Sequence, residues 1–207
     1  MDKKVTPHNN YNKELYSRPA ILEVILNQYG QNSISFLELL GDGTGAEFYS
    51  TWLNINKLIL IEYDYKKYKS YPLDRIYIDF DLIYTDLNKY FLEFISNKYR
   101  KPFDVINLDF CTFLYDNGKE NCTASIINNM FKYGAIKDGG LVFFTFMVKG
   151  LGANMNKAAI KERDDIFEFI KNLAIENGYD CSEELVYFYK SSKPTQMLNL
   201  GVKVWKI

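Results

Sequence analysis

The sequence contains very little of two residue types on which many enzymes depend. Its single histidine, His8, lies in a polar amino-terminal stretch. A Ser-His-Asp triad and a histidine-based metal site are therefore nearly excluded. The three cysteines, Cys111, Cys122 and Cys181, are far apart and form no CxxC pair. We therefore expect no zinc or other metal site, and the odd cysteine number suits a reducing interior.

Long apolar runs and an excess of either charge are also missing. No unbroken apolar run approaches the roughly 20 residues of a membrane span. Residues 1–17 are polar and lack the apolar core of a signal peptide, so we expect a cytoplasmic protein without a membrane partner. The net charge is −1. Any nucleic-acid partner would therefore need a local basic patch.

The chain does contain a regular alternation of short apolar segments and helical patterns. The apolar segments are 34–40, 58–62, roughly 76–84, 104–109 and 141–146. Such runs are typical of strands buried on both faces of a parallel sheet. The helical faces between and after them are Leu87, Phe91, Phe94 and Ile95, then Ile126, Ile127, Met130 and Phe131, then Ile166, Phe169, Ile170 and Leu173. This alternation predicts an α/β fold with right-handed crossovers.

The two ends of the chain depart from this alternation. ELVYFYKSS and LGVKVWKI near the carboxyl terminus leave no room for a helix between them, which predicts an antiparallel pair at one sheet edge. Near the amino terminus, Pro19 suits a first helical turn and Gly30 can end the helix. Its predicted apolar face consists of Leu22, Ile25, Leu26 and Tyr29. We expect residues 1–30 to form an arm and an amphipathic helix, which acts as a lid or as a homodimer interface, and residues 31–207 to form one domain.

Three glycines, Gly41, Gly43 and Gly45, follow the first predicted strand directly. Glycine permits a tight turn and lets backbone N–H groups approach a ligand closely. The helix that follows would point its positive amino end at that ligand. An ordinary strand–helix turn is the alternative, but three glycines at this place favour a ligand.

Four acids recur near the ends of the predicted strands, at intervals of 23 or 24 residues: Glu38, Glu62, Asp86 and Asp109. Ligands of open α/β sheets bind at the carboxyl ends of the strands. A carboxylate there can accept both hydroxyls of a ribose, or an amine. For Asp86 alone, a helix N-cap is the alternative. Together with the glycine turn, the acids predict a site for a nucleoside cofactor.

These segments resemble the motifs of class I S-adenosylmethionine-dependent methyltransferases. ELLGDGTG, LILIEYD, YTDL and FDVINLDF are similar to the first four motifs, and GGLVFFTF to the fifth strand. The resemblance implies S-adenosylmethionine as cofactor. It also implies a Rossmann-like doubly wound seven-stranded sheet, mostly parallel, with an antiparallel C-terminal strand.

The resemblance further implies a role for each motif. The three glycines would wrap the methionine part of the cofactor, Glu62 would hold the ribose hydroxyls, and Asp86 would lie near the adenine amine. Asp109 would lie near the methyl donor and the substrate. The full set of residues implied to contact the cofactor is Glu38, Gly41, Asp42, Gly43, Thr44, Gly45, Glu62, Tyr63, Asp86 and Asp109.

The first motif departs from the family pattern. Its acid usually stands two residues before the first glycine, where this chain has Leu39, and Glu38 stands one residue earlier. A shift of one residue reverses the face of a strand. Either the strand carries a bulge, or Asp42 takes part of the role.

The fourth motif, Asp109-Phe110-Cys111-Thr112, bears on the methyl acceptor. It is similar to the Asp-Pro-Phe-Gly motif of tRNA guanine-N2 methyltransferases, although this chain lacks the proline. The first hypothesis for the methyl acceptor is therefore a base nitrogen of RNA, and the second is a base nitrogen of DNA. Asp109 and Phe110 are the candidate catalytic residues. Asp109 would accept a hydrogen bond from the amine nucleophile, and Phe110 would flank the ring of the methyl acceptor. A helix cap and core packing are their alternatives. Cys111 is a nucleophile or, more in keeping with its type, a small buried residue.

Basic residues lie in two clusters that a nucleic acid could contact, although most charge runs are solvated surface. One is Lys98, Arg100 and Lys101. The other surrounds the loop after the fifth predicted strand and consists of Lys149, Lys157, Lys161 and Arg163.

Two other functions fit parts of the sequence. Gly41-x-Gly43-x-x-Ala46 with Glu62 fits a relaxed dinucleotide fingerprint, which predicts a nicotinamide-dependent oxidoreductase. Tyr133 and Lys137 have the YxxxK spacing of short-chain dehydrogenases, but they precede the fifth predicted strand. The displaced first acid also allows a methyltransferase-like protein that binds without catalysis.

Overall fold

The computed structural model describes residues 16–71, 75–96, 101–116, 119–120, 122–148, 155–190 and 196–207. His8, Lys98, Arg100, Lys149 and most of the loop after the fifth predicted strand lie outside these residues, as do the side chains of Phe94, Ile95, Cys111 and Lys157. The helices are α1 (Arg18–Tyr29), α2 (Thr44–Trp52), α3 (Tyr65–Ser70), α4 (Leu87–Ser96), α5 (Cys122–Lys132) and α6 (Met155–Glu176). The strands are β1 (Ile34–Leu39), β2 (Ile55–Glu62), β3 (Phe80–Tyr84), β4 (Phe103–Thr112), β5 (Tyr115–Asp116), β6 (Lys119–Glu120), β7 (Ile136–Val148), β8 (Tyr179–Lys190) and β9 (Gln196–Lys206).

Seven of these strands form one sheet in the order β3-β2-β1-β4-β7-β9-β8. Neighbouring strands are parallel from β3 to β7, whereas β9 runs antiparallel to both β7 and β8. The Rossmann-like, mostly parallel sheet with an antiparallel C-terminal strand is thereby confirmed. The terminal pair is antiparallel as expected, with β8 at the sheet edge and β9 inserted beside β7.

Helices cover both faces of the sheet, and each face has its own apolar core. The larger core joins α4, α5 and α6 through residues such as Phe91, Ile127 and Ile170, all buried. The smaller core joins α1 and α2 to the opposite face. Strand residues alternate between the two cores, which is why the central strands read as continuous apolar runs.

The amino-terminal helix belongs to the smaller core. Ile21 and Ile25 of α1 are buried there, and Leu22, Leu26 and Tyr29 are partly buried around them. All four residues of the predicted apolar face therefore pack on this core, and Ile21, which was not predicted, joins them. Gly30 ends the helix with a positive φ, and its N–H donates to the Leu26 carbonyl.

Several element boundaries differ from the sequence expectation. β3 is shorter than predicted, and α3 and the small β5–β6 hairpin were not predicted. Asp64 starts α3, since its side chain accepts the N–H groups of Lys66 and Lys67. β4 continues to Thr112, and its pairing with the long strand β7 shifts register between Leu108 and Thr112. Asp109 therefore lies in this irregular part of β4 and not at its end.

An ion pair joins three strands at their amino ends. The Asp104 carboxylate of β4 accepts hydrogen bonds from the Ser35 N–H and hydroxyl of β1 at 2.8 and 2.7 Å. It also pairs with Lys137 Nζ of β7 at 2.6 Å. Burial alone would raise the pKa of Asp104, but Lys137 and Ser35 outweigh it and hold that pKa below its ordinary value. These contacts lie at the sheet edge opposite the glycine turn.

Among the described helices, none is both long and apolar enough to cross a membrane.

Candidate functional site

The smaller core ends in polar side chains near the carboxyl ends of β1 and β2 and on the neighbouring strand β4, where Asn107 pairs with Glu38. Glu38 of β1, Glu62 of β2 and Asn107 of β4 are all buried. Each continues the alternation that places Phe36, Leu60 and Val105, two residues earlier, in the smaller core. The three polar side chains therefore lie on the face that α1 and α2 cover. Buried groups of this kind need hydrogen-bond partners, from the protein or from a ligand.

Glu38 packs directly against the glycine turn. A Cβ at Gly45 would collide with Glu38 Oε1, so this position in the first turn of α2 admits only glycine unless the carboxylate moves. Asn107 Nδ2 donates to the same oxygen at 3.1 Å. The β1–β2 pairing is irregular only between Ile34 and Ser35, away from Glu38. A bulge is thus not needed to bring Glu38 to the turn.

Asp42 lies on the more exposed side of the same turn. Its Oδ1 accepts the Thr44 N–H at 3.1 Å and the Thr44 hydroxyl at 2.6 Å. Arg18 of α1 donates from Nη2 to the Thr44 hydroxyl oxygen at 2.6 Å and lies 4.0 Å from Asp42 Oδ1. The turn therefore has one acid on each side, and a buried arginine reaches it from the amino-terminal helix.

Tyr71 packs its ring onto Gly43. This glycine has a φ of 78°, and a Cβ there would overlap the Tyr71 ring. The hydroxyl of Tyr71 is buried and has no hydrogen-bond partner among the described residues. Burial raises the pKa of Tyr71 to about 12, and the acids Glu47, Glu38 and Asp42 act in the same direction against Arg75. An aromatic ring thus closes one side of the glycine turn.

Glu62 is the last residue of β2, and the loop that follows holds its carboxylate. Its Oε1 accepts the Asp64 N–H at 2.7 Å, which fixes the carboxylate at the start of the following loop. Tyr63, the next residue, is exposed. A ligand that reaches Glu62 would therefore meet a buried acceptor beside an exposed aromatic ring.

Asp86 is a helix cap. Its Oδ1 accepts the N–H groups of Asn88 and Lys89 at 2.9 and 3.3 Å, in the first turn of α4. This is the alternative that the sequence left open for Asp86. The side chain is exposed at the carboxyl end of β3, on the same sheet edge as Glu62.

Asp109 and Phe110 lie beyond Asn107 on β4, and both are partly buried. The Phe110 ring packs against Phe146 of β7, with centroids 5.9 Å apart. Phe110 therefore contributes to the edge of the larger core, as in the packing alternative. The structure brings Glu38, Asn107 and the glycine turn into contact.

An exposed cluster of tyrosines and lysines lies at the carboxyl ends of β2 and β3. We call it the tyrosine–lysine patch. The Tyr84 ring lies 5.4 Å from both Tyr65 and Tyr68, measured between centroids. Lys69 Nζ lies 5.7 and 5.9 Å from the rings of Tyr65 and Tyr68. The patch consists of Tyr65, Lys66, Lys67, Tyr68, Lys69 and Tyr84.

A separate surface depression lies at the amino ends of β2 and β3. It is lined by residues that include Lys57, Asp79 and Asp81. Ligands of open α/β sheets bind at the carboxyl ends. The glycine turn, and not this depression, is therefore the candidate functional site.

Comparison with known proteins gave matches only among solved structures, since no protein-family model and no curated protein matches this chain. Trm1 from Pyrococcus horikoshii, in complex with S-adenosyl-L-methionine, aligns with a TM-score of 0.66 and 12% identity. The alignment covers 100% of this chain but 58% of Trm1, so the chain spans less than two thirds of that protein.

Two further matches cover most of both chains. The N-methyltransferase NodS from Bradyrhizobium japonicum WM9, in complex with S-adenosyl-L-homocysteine, has a TM-score of 0.60 and 14% identity over 98% of this chain and 92% of NodS. A Pyrococcus horikoshii protein assigned provisionally as an RNA methyltransferase has a TM-score of 0.64 and 12% identity over 99% and 93%.

This chain has the fold of the class I S-adenosylmethionine-dependent methyltransferases. At these identities the likeness establishes the fold alone. Within that fold, the glycine turn, Glu38 and Glu62 occupy the sheet edge at which α/β folds bind their ligands.

Sequence reasoning missed three residues of this methyltransferase-fold site: Arg18, Tyr71 and Asn107. Asn107 carried a weak signal, because an amide inside the apolar run of β4 needs a partner when buried. Arg18 and Tyr71 carried none. Both reach the glycine turn from elements that are distant in sequence.

Proposed function

We propose that this protein is an S-adenosylmethionine-dependent methyltransferase. The observation that carries the proposal is the group of buried polar side chains on β1, β2 and β4, on the sheet face that α1 and α2 cover: Glu38, Glu62 and Asn107. Carboxylate and amide oxygens are acceptors, and the ribose hydroxyls and the ammonium group of S-adenosylmethionine are donors. One ligand would thus satisfy several of these buried groups together.

Two polar atoms support the fit. Within the described part of the chain, neither Asn107 Oδ1 nor the Tyr71 hydroxyl has a hydrogen-bond partner, although both are buried. Buried polar atoms are rarely left unsatisfied in folded proteins. We propose that the glycine turn with Asp42 and Thr44 binds the methionine part, Glu62 the ribose, and Tyr63 and Asp86 the adenine.

The bound cofactor would supply a methyl group on a sulfonium, which is already a strong electrophile. The protein then needs neither a triad nor a metal, and mainly has to align the nucleophile. We propose that Asp109 accepts a hydrogen bond from an acceptor amine, which raises electron density on the nitrogen. The proton released on methylation would pass to Asp109 or to solvent. Phe110 would bound the acceptor pocket from its position against Phe146.

For the acceptor, we propose a base nitrogen of a nucleic acid, RNA before DNA. One of the similar structures belongs to a protein assigned provisionally as an RNA methyltransferase. The tyrosine–lysine patch supports the same class, because aromatic rings stack on unpaired bases while lysines pair with phosphates. It lies at the carboxyl edge of the sheet, as the candidate site does.

Calorimetric titration with S-adenosylmethionine, S-adenosylhomocysteine and NADH tests the cofactor. We expect micromolar binding of the first two and none of NADH. Binding of NADH alone would favour the oxidoreductase. Cofactor binding without methyl transfer to RNA, DNA or small amines would favour a binding protein with this fold, and no binding of any of the three would refute the site.

Removing the rings of the patch should weaken RNA binding. Tyr65 and Tyr84 are 55% and 51% exposed. Stacking on one base contributes about 1–3 kcal/mol, so Tyr65→Ala and Tyr84→Ala should each lower affinity for single-stranded RNA about 5- to 150-fold. Fluorescence anisotropy with labelled RNA measures this effect.

Tyr77 provides the matched control for this measurement. It is 90% exposed but precedes β3, near the amino end of the sheet. Tyr77→Ala should leave RNA affinity unchanged. If all three variants bind RNA as tightly as the wild type, the patch does not bind RNA. The cofactor proposal would be unaffected by that result.

A further inference from the structure

The carboxyl edge of the parallel strands continues beyond β4 onto β7, β9 and β8. β7 ends at this edge with Val148. Because β9 runs antiparallel to β7, its first residue, Gln196, lies directly opposite Val148. Lys190, the last residue of β8, lies on the other side of Gln196. Gln196 is therefore at the same edge of the sheet as the glycine turn and the carboxyl part of β4.

The Gln196 side chain lies on the face of the sheet that carries the larger core. Leu198, two residues later on β9, is buried in that core, and so are Phe146 and Val148 of β7. Side chains alternate between the two faces along a strand, so Gln196 and Leu198 share a face. Gln196 thus places an amide beside an apolar surface.

Phe110, the residue proposed to bound the acceptor pocket, belongs to the same surface. Its ring packs on Phe146, with centroids 5.9 Å apart, and it is partly buried against the larger core. Phe146 lies opposite Leu198 and is therefore the diagonal neighbour of Gln196, at about 7–8 Å. An aromatic ring on β4 and an amide on β9 consequently lie on either side of β7, with their strands on the order of 10 Å apart.

The amide oxygen of Gln196 has an unmet need for a donor. Gln196 Oε1 is buried and has no hydrogen-bond partner within the part of the chain that the structure describes. A buried amide oxygen without a donor costs free energy, and such atoms are rare in folded proteins. The proposed cofactor contacts lie on β1, β2 and the loops that follow them, so they leave this oxygen unused. Its position near Phe110 indicates a donor on the methyl acceptor.

Two acceptor oxygens at this edge restrict the base that can bind. In the proposed reaction, Asp109 accepts a hydrogen bond from the exocyclic amine that receives the methyl group. Gln196 Oε1 then needs a second N–H on the same edge of the base. In adenine and cytosine the ring nitrogen next to the amine carries no hydrogen, and uracil has a ring N–H but no amine. Guanine has both, since its ring N1–H is adjacent to its 2-amine.

We propose that Gln196 is a specificity-determining residue that selects guanine as the methyl acceptor. Its Oε1 accepts the guanine N1–H and its Nε2 donates to O6, while Phe110 contacts the ring and the 2-amine faces Asp109. This inference rests on the proposed function and names the base within it. The amine nitrogen forms the new bond to the methyl carbon, the electron pair of the broken C–S bond stays on sulfur, and the amine proton passes to Asp109 or to solvent.

Replacing guanine by 2-aminopurine in RNA tests the assignment, because 2-aminopurine keeps the 2-amine but lacks N1–H and O6. The probes are random-sequence RNA oligonucleotides that contain one base or the other, and the measurement is transfer of a labelled methyl group from S-adenosylmethionine. The wild type should have a kcat/KM about 5- to 150-fold higher for the guanine RNA, because the analogue leaves the buried oxygen of Gln196 unpaired. Gln196→Leu should abolish this preference and keep transfer to the 2-aminopurine RNA.

Two further variants separate base recognition from structure. Gln196→Glu keeps an acceptor for the ring N–H, so it should retain more of the guanine preference than Gln196→Leu does. Gln31→Leu makes the same change at an exposed position just before β1, at the opposite edge of the sheet, and should leave the preference unchanged. Thermal unfolding shows that each variant is folded.

The outcomes distinguish this inference from the proposed function. A wild type that methylates both RNAs equally would overturn the role of Gln196, and so would a Gln196→Leu variant that keeps the guanine preference. Methylation of adenine or cytosine instead of guanine would overturn the inference and leave the methyltransferase proposal standing. A wild type that binds S-adenosylmethionine but methylates no RNA would overturn the selection of guanine alone. A wild type that does not bind S-adenosylmethionine would refute the proposed function, and this inference with it.

Discussion

Replacing Glu62 by glutamine is expected to weaken S-adenosylmethionine binding about 10- to 100-fold. The buried carboxylate lies at the carboxyl end of β2, where the proposed ribose would bind. Glutamine keeps the shape and can still accept the Asp64 N–H through its carbonyl oxygen. It replaces one charged acceptor by an NH₂ donor, which cannot accept a ribose hydroxyl. The loss of a hydrogen bond to a charged group corresponds to about 1.5–3 kcal/mol.

Calorimetric titration of Glu62→Gln and the wild type measures this loss. Glu176→Gln makes the same chemical change at an exposed position at the end of α6 and should leave affinity unchanged. An analogue of the cofactor without the 2′-hydroxyl provides a second control, because the effect of Glu62→Gln should shrink for that ligand. Full affinity of Glu62→Gln for S-adenosylmethionine would show that Glu62 does not hold the ribose.

Replacing Gly45 by alanine is expected to destabilise the protein by about 1–3 kcal/mol, the usual cost of overpacking a filled site. The new Cβ would collide with Glu38 Oε1, and the buried carboxylate would have to move away from Asn107. In an exposed helix the same change stabilises by roughly 0.5–1 kcal/mol, because alanine is the better helix former. The sign of the effect therefore reports the contact with Glu38.

A double-mutant cycle isolates that contact. In a Glu38→Ala background the carboxylate is gone, so Gly45→Ala should become neutral or stabilising by up to about 1 kcal/mol. Urea unfolding of the four proteins gives the two free-energy changes from the shifts in midpoint at constant slope. If Gly45→Ala costs the same in both backgrounds, Glu38 does not pack against the turn and the proposed cofactor geometry is wrong.

Much of the fold could be predicted because its signals are local. Short apolar runs identified the five parallel strands. The Asp86 cap could also be anticipated, because it involves residues only two or three positions apart. Local signals were weaker at β3 and α3. α3 has six residues, none of them buried, so it shows no apolar periodicity. Its one local signal is Asp64, which caps its amino end.

Glu38 shows where local reasoning about the site reached its limit. Its one-residue displacement from the family pattern suggested a bulge or a replacement by Asp42. The structure instead accommodates it within regular β1–β2 pairing, where the absent side chain of Gly45 provides the space. A rule based on spacing cannot anticipate this solution, because the space depends on a residue in the following helix.

Local sequence patterns were enough to predict the strand and helix alternation, the glycine turn, and the acids near the carboxyl ends of the strands. Which side chains meet there depends on the tertiary structure. Arg18 reaches Thr44 across 26 positions, and Asn107 reaches Glu38 across 69. Such contacts depend on strand order and on where a helix packs against the sheet. Propensity and periodicity extend over only a few residues, so they carry no information about contacts at these separations.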